Sequence, residues 1–215
     1  YTCKLWEGLT GGVDQAGEAV DKGGAIFMAD STTLAVSGSA FIGNVAPCNG
    51  GAVNMGSATV LNVSGSAFVG NHANCNGGAI WVGGNSQLAV SGSAFIGNWG
   101  SSQGGAIAHS GRIALRGSMF VENNAIEGGA IFARGSSGLA VRSCAFMRNN
   151  AAHAGAIEIQ PNVNAEVTDS LFVRNSYPDG SDTGGAIKLG SASLDLTNSK
   201  FIDNGKPHDV SQSHH

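Results

Sequence analysis

Groups able to do acid–base, nucleophilic or metal chemistry are sparse here: 15 Asp and Glu, 11 Lys and Arg, 6 His and 4 Cys in 215 residues. General acid–base work or calcium binding needs several acids gathered with a Lys, Arg or His. The one charged column at a fixed offset reads Gly43, Gly70, Gly97, Glu122, Arg148, Arg174 and Asp203, always two residues after a Phe. Acids and bases on neighbouring coils there, Glu122 beside Arg148 and Arg174 beside Asp203, pair with one another in solvent, to little energetic gain. Arg116 and Arg142 share a second offset and are expected on a solvated face. His72, His109 and His153 fall at different offsets, so no metal-binding line of histidines is expected. There is no phosphate loop, His-Glu-x-x-His or calcium-binding nonapeptide. No catalytic residue, cofactor or metal site is therefore assigned, and enzyme function rests on fold analogy alone.

What positions these groups is a repeat. Gly-Gly-Ala-aliphatic occurs at Gly23, Gly50, Gly77, Gly104, Gly128 and Gly184, with Ala154-Gly155-Ala156-Ile157 as the variant. The start-to-start spacings are 27, 27, 27, 24, 26 and 30. Each unit also carries Phe-x-x-Asn: Phe41/Asn44, Phe68/Asn71, Phe95/Asn98, Phe120/Asn123, Phe146/Asn149, Phe172/Asn175 and Phe201/Asn204. Between these marks lie short apolar-alternating runs, such as Ala25-Ile26-Phe27-Met28 and Leu34-Ala35-Val36, separated by Gly, Ser and Asn. That pattern reads as strand and turn in alternation. Glycine at 34 of 215 residues and the β-branched density oppose a helical repeat. One unit cannot bury its own apolar face, but stacking units at about 4.8 Å sets each inward side chain on its equivalent. The expected fold is all-β, a right-handed parallel β-helix of about seven coils over 23–204, with a capping segment at 1–22 and a tail at 205–215.

Gly-Gly-Ala-Ile with Phe-x-x-Asn resembles the paired motif of chlamydial polymorphic outer membrane proteins. The wider Ser-x-Phe-x-x-Asn pattern is similar to pectate-lyase-like β-helix repeats, and the likeness spans 23–204. The first resemblance implies a surface-displayed adhesin. The second implies a fold that hosts lyases, hydrolases, adhesins and non-catalytic subunits, so fold alone does not fix function.

Reading the units as columns separates core from surface. Ile26, Val53, Ile80, Ile107, Ile131, Ile157 and Ile187 form one inward column, and Val36, Val63, Val90, Leu115, Val141, Val167 and Leu196 another. The seven Phe form a third. Two residues before Phe stand Ser39, Ser66, Ser93, Ser118, Cys144, Ser170 and Ser199, small inward residues that leave room for the rings. The Asn column is expected at a corner, where Asn tolerates unusual backbone angles and its amide bonds the equivalents above and below. The paired glycines are expected to allow a tight corner or positive φ.

The outward columns carry whatever function there is. Flanking Phe are Ala40, Ala67, Ala94, Met119, Ala145, Leu171 and Lys200 on one side and Ile42, Val69, Ile96, Val121, Met147, Val173 and Ile202 on the other. An apolar strip about 30 Å long needs a cover: an interaction partner is one reading, and burial within the chain, by the segment 1–22 or a bend in the strand at Phe, is the other. The candidate interaction face is Ala40, Ile42, Ala67, Val69, Ala94, Ile96, Met119, Val121, Met147 and Val173. A further outward column, Phe27, Asn54, Trp81, Ala108, Phe132, Glu158 and Lys188, offers aromatics to a sugar or a protein.

Cys48 and Cys75 lie 27 apart in identical Cys-Asn-Gly-Gly contexts. Stacking at about 4.8 Å puts their α-carbons within disulfide range. A bridge and a pair of stacked thiols both fit, and a bridge would place the chain outside a reducing compartment. Cys144 reads as a small core residue, and Cys3 as part of the cap. The start at Tyr1, without Met, reads as a processed or trimmed end.

A net charge of −4 and a pI near 5.8 give no reason to expect nucleic acid, and no apolar stretch is long enough to span a bilayer. The expected function is a non-catalytic adhesive, scaffolding or accessory subunit, secreted, cell-surface or organelle-lumenal. It would meet a protein partner or larger assembly through the apolar face or an open C-terminal end. A carbohydrate ligand is possible on the same surface logic, and the alternative is a polysaccharide lyase or hydrolase with an outward-facing site.

Overall fold

The computed structural model describes residues 23–177 and 184–205. Every strand pairing in it is parallel, and strands equivalent in the repeat always pair. The first sheet stacks Ile26–Met28, Val53–Met55, Ile80–Val82, Ile107–His109, Ile131–Ala133, Ile157–Ile159 and Ile187–Leu189. A second seven-stranded sheet runs from Thr33–Ser37 to Ser193–Thr197, and a third from Ala40–Ile42 to Lys200–Ile202. The fold is thus a parallel β-helix of seven coils. The repeat also hides a fourth, five-stranded sheet of short strands from Val45–Ala46 to Asn150–His153. The expected cap at 1–22 and the tail beyond 205 lie outside the described residues.

Registers keep like on like. Phe41, Phe68, Phe95, Phe120, Phe146, Phe172 and Phe201 stack with centroids 4.7 to 4.8 Å apart and ring planes within 7°. Phe68, Phe95, Phe120, Phe146 and Phe172 are fully buried, and each contributes about 1.5–3 kcal/mol relative to an exposed ring. The last coil departs from this pattern: Leu196 and Phe201, expected in the core, are 46% and 44% exposed. No described coil lies beyond them.

Two polar ladders run through the interior. Along the first, from Asn71 onward, each Asn Oδ1 accepts the backbone N–H and the Nδ2–H of the Asn one coil earlier, and each Nδ2 also donates to the carbonyl of a Phe. Asn98 Oδ1 takes Asn71 N at 3.0 Å and Asn71 Nδ2 at 2.9 Å, while Asn98 Nδ2 reaches Phe68 O at 3.0 Å. Asn123 Oδ1 takes Asn98 N and Nδ2 at 3.0 and 2.9 Å, and Asn149 Oδ1 takes both from Asn123 at 3.0 Å. Asn175 Oδ1 takes Asn149 N and Nδ2 at 3.1 and 2.9 Å. The ladder is unbroken from Asn44 to Asn204. The second ladder is the Ser column. Ser93 Oγ accepts Ser66 N at 3.1 Å and donates to Ser91 O at 2.9 Å. These serines make room for the rings and also satisfy a buried row of backbone donors.

The corners correct the expectation for the Asn column. The left-handed backbone sits one residue before each Asn: Gly43, Gly70, Gly97, Glu122, Arg148, Arg174 and Asp203 all have φ between 51° and 63°. Asn71, Asn98, Asn123, Asn149 and Asn175 instead have ordinary negative φ and are wholly buried. Asn recurs there because its amide can accept and donate along the axis in a place water does not reach; tolerance of unusual angles is not the reason. The paired glycines divide the two roles predicted for them. The first has positive φ at Gly50, Gly77, Gly104 and Gly128, 61° to 65°. The second leaves no room for a Cβ, which at Gly78 would strike the backbone of Gly105 and Trp99.

Candidate functional site

The outer face of the third sheet is apolar until Lys200 in its last coil. Parallel registers align Ala40 with Ala67, and Ile42 with Val69, and so on to Lys200 and Ile202. Ile42 is 63% exposed, Met119 and Ile202 are exposed, and Val69, Ile96, Val121, Met147 and Val173 are half-buried. Ala40 is exposed, while Ala67 and Ala94 are half-buried. The patch continues around the corner to Val45 and to Trp99, which is 51% exposed and stacked on the His72 ring at 4.5 Å. The small Ala column lies beside the larger Ile/Val column, so the face has a groove and a ridge parallel to the solenoid axis. The neighbouring Asn ladder adds nothing to this surface. Asn123, Asn149 and Asn175 have no exposed surface, and their amides are spent on one another and on Phe carbonyls.

The outer face of the second sheet is concave, with a groove of about 550 Å³. Ala35, Asn62, Ala89, Ala114 and Ala140 line it, flanked by Ser37, Ser64 and Ser91 and then Arg116 and Arg142. Arg142 Nη2 lies 2.9 Å from both oxygens of Glu166. Glu122 and Arg148, on another face, pair at 2.8 Å. Both pairs are about half exposed, so each is worth little.

The outer column of the first sheet differs from the expected open row of aromatics. Phe27 is exposed, but Asn54, Ala108, Phe132 and Glu158 are buried. Trp81 is half-buried, with the Arg134 guanidinium 5.1 Å from its centroid. Phe132 is therefore unavailable to a ligand.

The buried end of that column holds a polar cluster that sequence reasoning missed. Glu158 and Lys188 are register partners, and Lys188 Nζ donates to Glu158 Oε1 at 2.9 Å. Gln160 Nε2 donates to the same oxygen at 2.9 Å, and Lys188 Nζ lies 3.3 Å from His153 Nδ1. Glu127 is the register partner of His153 and accepts Gln103 Nε2 at 2.8 Å. Glu127, His153 and Glu158 bring donor atoms within 4.8 Å of one another. The Glu158 side chain is 1% exposed and its Oε2 has no hydrogen-bond partner. Burial raises its pKa and the Lys188 ammonium opposes that rise.

The missed signal was a column. Seven residues after Phe stand Cys48, Cys75, Ser102, Glu127 and His153, and the coil-to-coil backbone hydrogen bonds confirm their alignment. His153 is off-phase from the other histidines but in phase with Glu127. At the other end of this column Cys48 and Cys75 are bonded, with Cα atoms 4.5 Å apart. The same corner contains Gly100-Ser101-Ser102-Gln103-Gly104, the spacing of a hydrolase nucleophile turn. Such a turn joins a strand to a helix, and among the described residues there is no helix.

Two buried groups stand apart. His109 is wholly buried with Nδ1 3.2 Å from Gly111 O, so Nδ1 carries the proton and Nε2 has no partner. Burial lowers its pKa from 6.5 to about 4. Cys144 replaces a ladder serine, and burial pushes its thiol pKa up, which keeps it an unreactive thiol.

A sequence model of the family described as "Right handed beta helix region" matches residues 19–201. No curated protein and no solved structure matches the chain.

Proposed function

The chain belongs to the right-handed β-helix family, and we propose that it works as a non-catalytic assembly scaffold that docks through the outer face of its third sheet. The observation that carries this reading is the unbroken apolar column from Ile42 to Ile202, with a second apolar column beside it from Ala40 to Leu171. With the Val45 and Trp99 flank, the strip measures about 30 Å by about 15 Å. Two such faces bury on the order of 1,000 Å², near the lower bound for a specific interface.

The occupant is a second copy of the chain. A two-fold axis parallel to the solenoid and lying in the interface sets the Ile/Val ridge of one copy against the Ala groove of the other, coil by coil. At the fourth coil Met119 then meets the partner's Val121. Light scattering on size-exclusion fractions across a concentration series should show a dimer, and Ile96→Asp/Val121→Asp should be monomeric with an unchanged β-sheet circular dichroism spectrum. A wild-type chain that stays monomeric throughout rejects self-docking. Should that monomer instead bind a defined protein in a manner lost in the double variant, the face would serve a different partner.

The groove of the second sheet favours a second reading, an extended carbohydrate ligand held without cleavage. Its length, alanine floor and serine row suit a chain of sugar rings, and Arg116 suits acidic ones. A lyase or hydrolase needs acids there, and Glu166 is engaged by Arg142. Screening neutral and acidic glycans against wild type and Arg116→Ala tests this: acidic glycans should bind and the variant should bind them less, with no turnover. No binding to any glycan removes the reading.

The Cys48–Cys75 pairing supports a secreted, surface or organelle-lumenal location. Non-reducing peptide mapping of the protein from its native source should find those two peptides linked. Free thiols at both positions would reject the assignment.

A further inference from the structure

We propose that Glu127, His153 and Glu158 bind a first-row divalent metal ion of the zinc class, in competition with the Lys188 ammonium. The three residues come from neighbouring coils and offer two carboxylates and an imidazole within 4.8 Å of one another. Zinc ligands at about 2.0–2.2 Å from the ion stand about 3–4 Å apart, so closing on an ion requires movements of about an ångström or less. One nitrogen and two carboxylate donors suit zinc or manganese better than calcium, which takes six to eight oxygens.

The cluster already behaves as a cation site. Lys188 places its ammonium 2.9 Å from Glu158 Oε1 and 3.3 Å from His153 Nδ1, two of the three donors. One ammonium does not balance the two carboxylates, and Glu158 Oε2 remains buried without a partner. Leaving a charged oxygen unmet in the interior is costly, and a dication meets both needs at once. Lys188 can withdraw: its side chain is 31% exposed, and a lysine keeps its charge in water on a flexible stem. Gln103 and Gln160 hold the two carboxylates from outside, as second partners of metal ligands do. An ion bound there would tie three coils together at the C-terminal end of the column whose N-terminal end carries the Cys48–Cys75 bond.

The test is calorimetric titration of the full chain, stripped with chelator, with zinc chloride at pH 7.5, followed by thermal unfolding with and without zinc. The expected result is one site that raises the unfolding temperature. His153→Ala and Glu158→Gln should each weaken that site by about tenfold or more. Lys188→Met removes the competing charge and should tighten it by about tenfold. The tightening is diagnostic because it is a gain, and it still decides the matter if Glu158→Gln fails to fold. Absence of zinc binding overturns the proposal. So does binding that His153→Ala and Lys188→Met leave unchanged, which would place the ion elsewhere, for example on His208, His214 or His215.

Discussion

His109 stands in an inward column otherwise made of Met28, Met55, Val82, Ala133, Ile159 and Leu189. Its imidazole is tolerated there only as the neutral form, with one nitrogen on Gly111 O and the other bare. The folded pKa of about 4 lies below the unfolded value of 6.5. The folded state therefore binds fewer protons than the unfolded state between those values, and its stability falls as the pH drops from 6.5 towards 4. Above pH 6.5 the contribution is complete, and below pH 4 nothing further is lost. The full loss is about 3 kcal/mol. Urea midpoints at pH 7.5 and pH 4 should differ more for wild type than for His109→Met, which fills the column as Met55 does. Equal pH dependence in the two proteins would show that His109 is not the titrating group. Its offset in the sequence sets it apart from His72 and His153, but does not say which way it points. That depends on whether the residue two after the column's Ile turns into the coil, and polar type alone argues the wrong way. Glu158 misleads differently: residue type and strand alternation both point it outward, between the inward Ile157 and Ile159, and yet it is buried.

The elements were legible where a column is filled by one residue type. Ile, Val and Phe columns gave three sheets with correct register, because a shift of one residue would expose each of them. The Asn ladder was legible because Asn recurs where nothing else does, although its place inside the coil, at ordinary φ and out of reach of water, was not. At Asn123, Asn149 and Asn175 the charged neighbour on the N-terminal side takes the strained corner, which residue preference alone would have given to Asn. The fourth sheet was not read from the sequence, since its strands are short and their one recurring feature is a small buried residue five after Phe, at Ala46, Ala73, Gly100, Ala125 and Ala151. Glycine was the hardest residue to interpret, because it serves two purposes that sequence does not separate. At Gly97 the backbone needs φ of 60° but a Cβ meets nothing within 4 Å. Glu122, Arg148 and Arg174 hold the equivalent corner at φ of 52° to 55°. Gly97→Ala should therefore cost only about 1 kcal/mol. At Gly78 the difficulty is space: a Cβ would strike the Gly105 carbonyl and the Trp99 backbone. Neither can retreat without breaking a coil-to-coil bond, so Gly78→Ala should cost more than about 3 kcal/mol or prevent folding. Urea denaturation of the two variants checks the contrast, and a Gly78→Ala protein as stable as Gly97→Ala would refute the steric assignment.

Across the whole molecule, each coil touches only its neighbours, so stability is the sum of coil contributions and interfaces and need not be uniform. Three features make it uneven. Leu189, Leu196 and Phe201 are 44% to 46% exposed, whereas Ile159, Val167 and Phe172, one coil earlier, are fully buried. The middle coils carry complete Phe and Asn ladders with partners on both sides. The Cys48–Cys75 bond ties the first two coils, and closing a 27-residue loop restricts the unfolded chain by about 3.5 kcal/mol in the chain-entropy picture. Amide hydrogen exchange should therefore be graded along the axis. Amides of Ser193–Thr197 and Lys200–Ile202 should exchange about a hundredfold faster or more than those of Gln87–Ser91 and Ala94–Ile96. Reduction of the bond should speed exchange in Val45–Ala46 and Val53–Met55 and leave the last coil unchanged. A single exchange rate across all seven coils would mean the solenoid opens as one unit, and the nearest-neighbour account would fail. If zinc slows exchange in Ile157–Ile159 and Ile187–Leu189 in wild type but not in Glu158→Gln, the graded profile and the metal site would be tied to the same coils by one measurement.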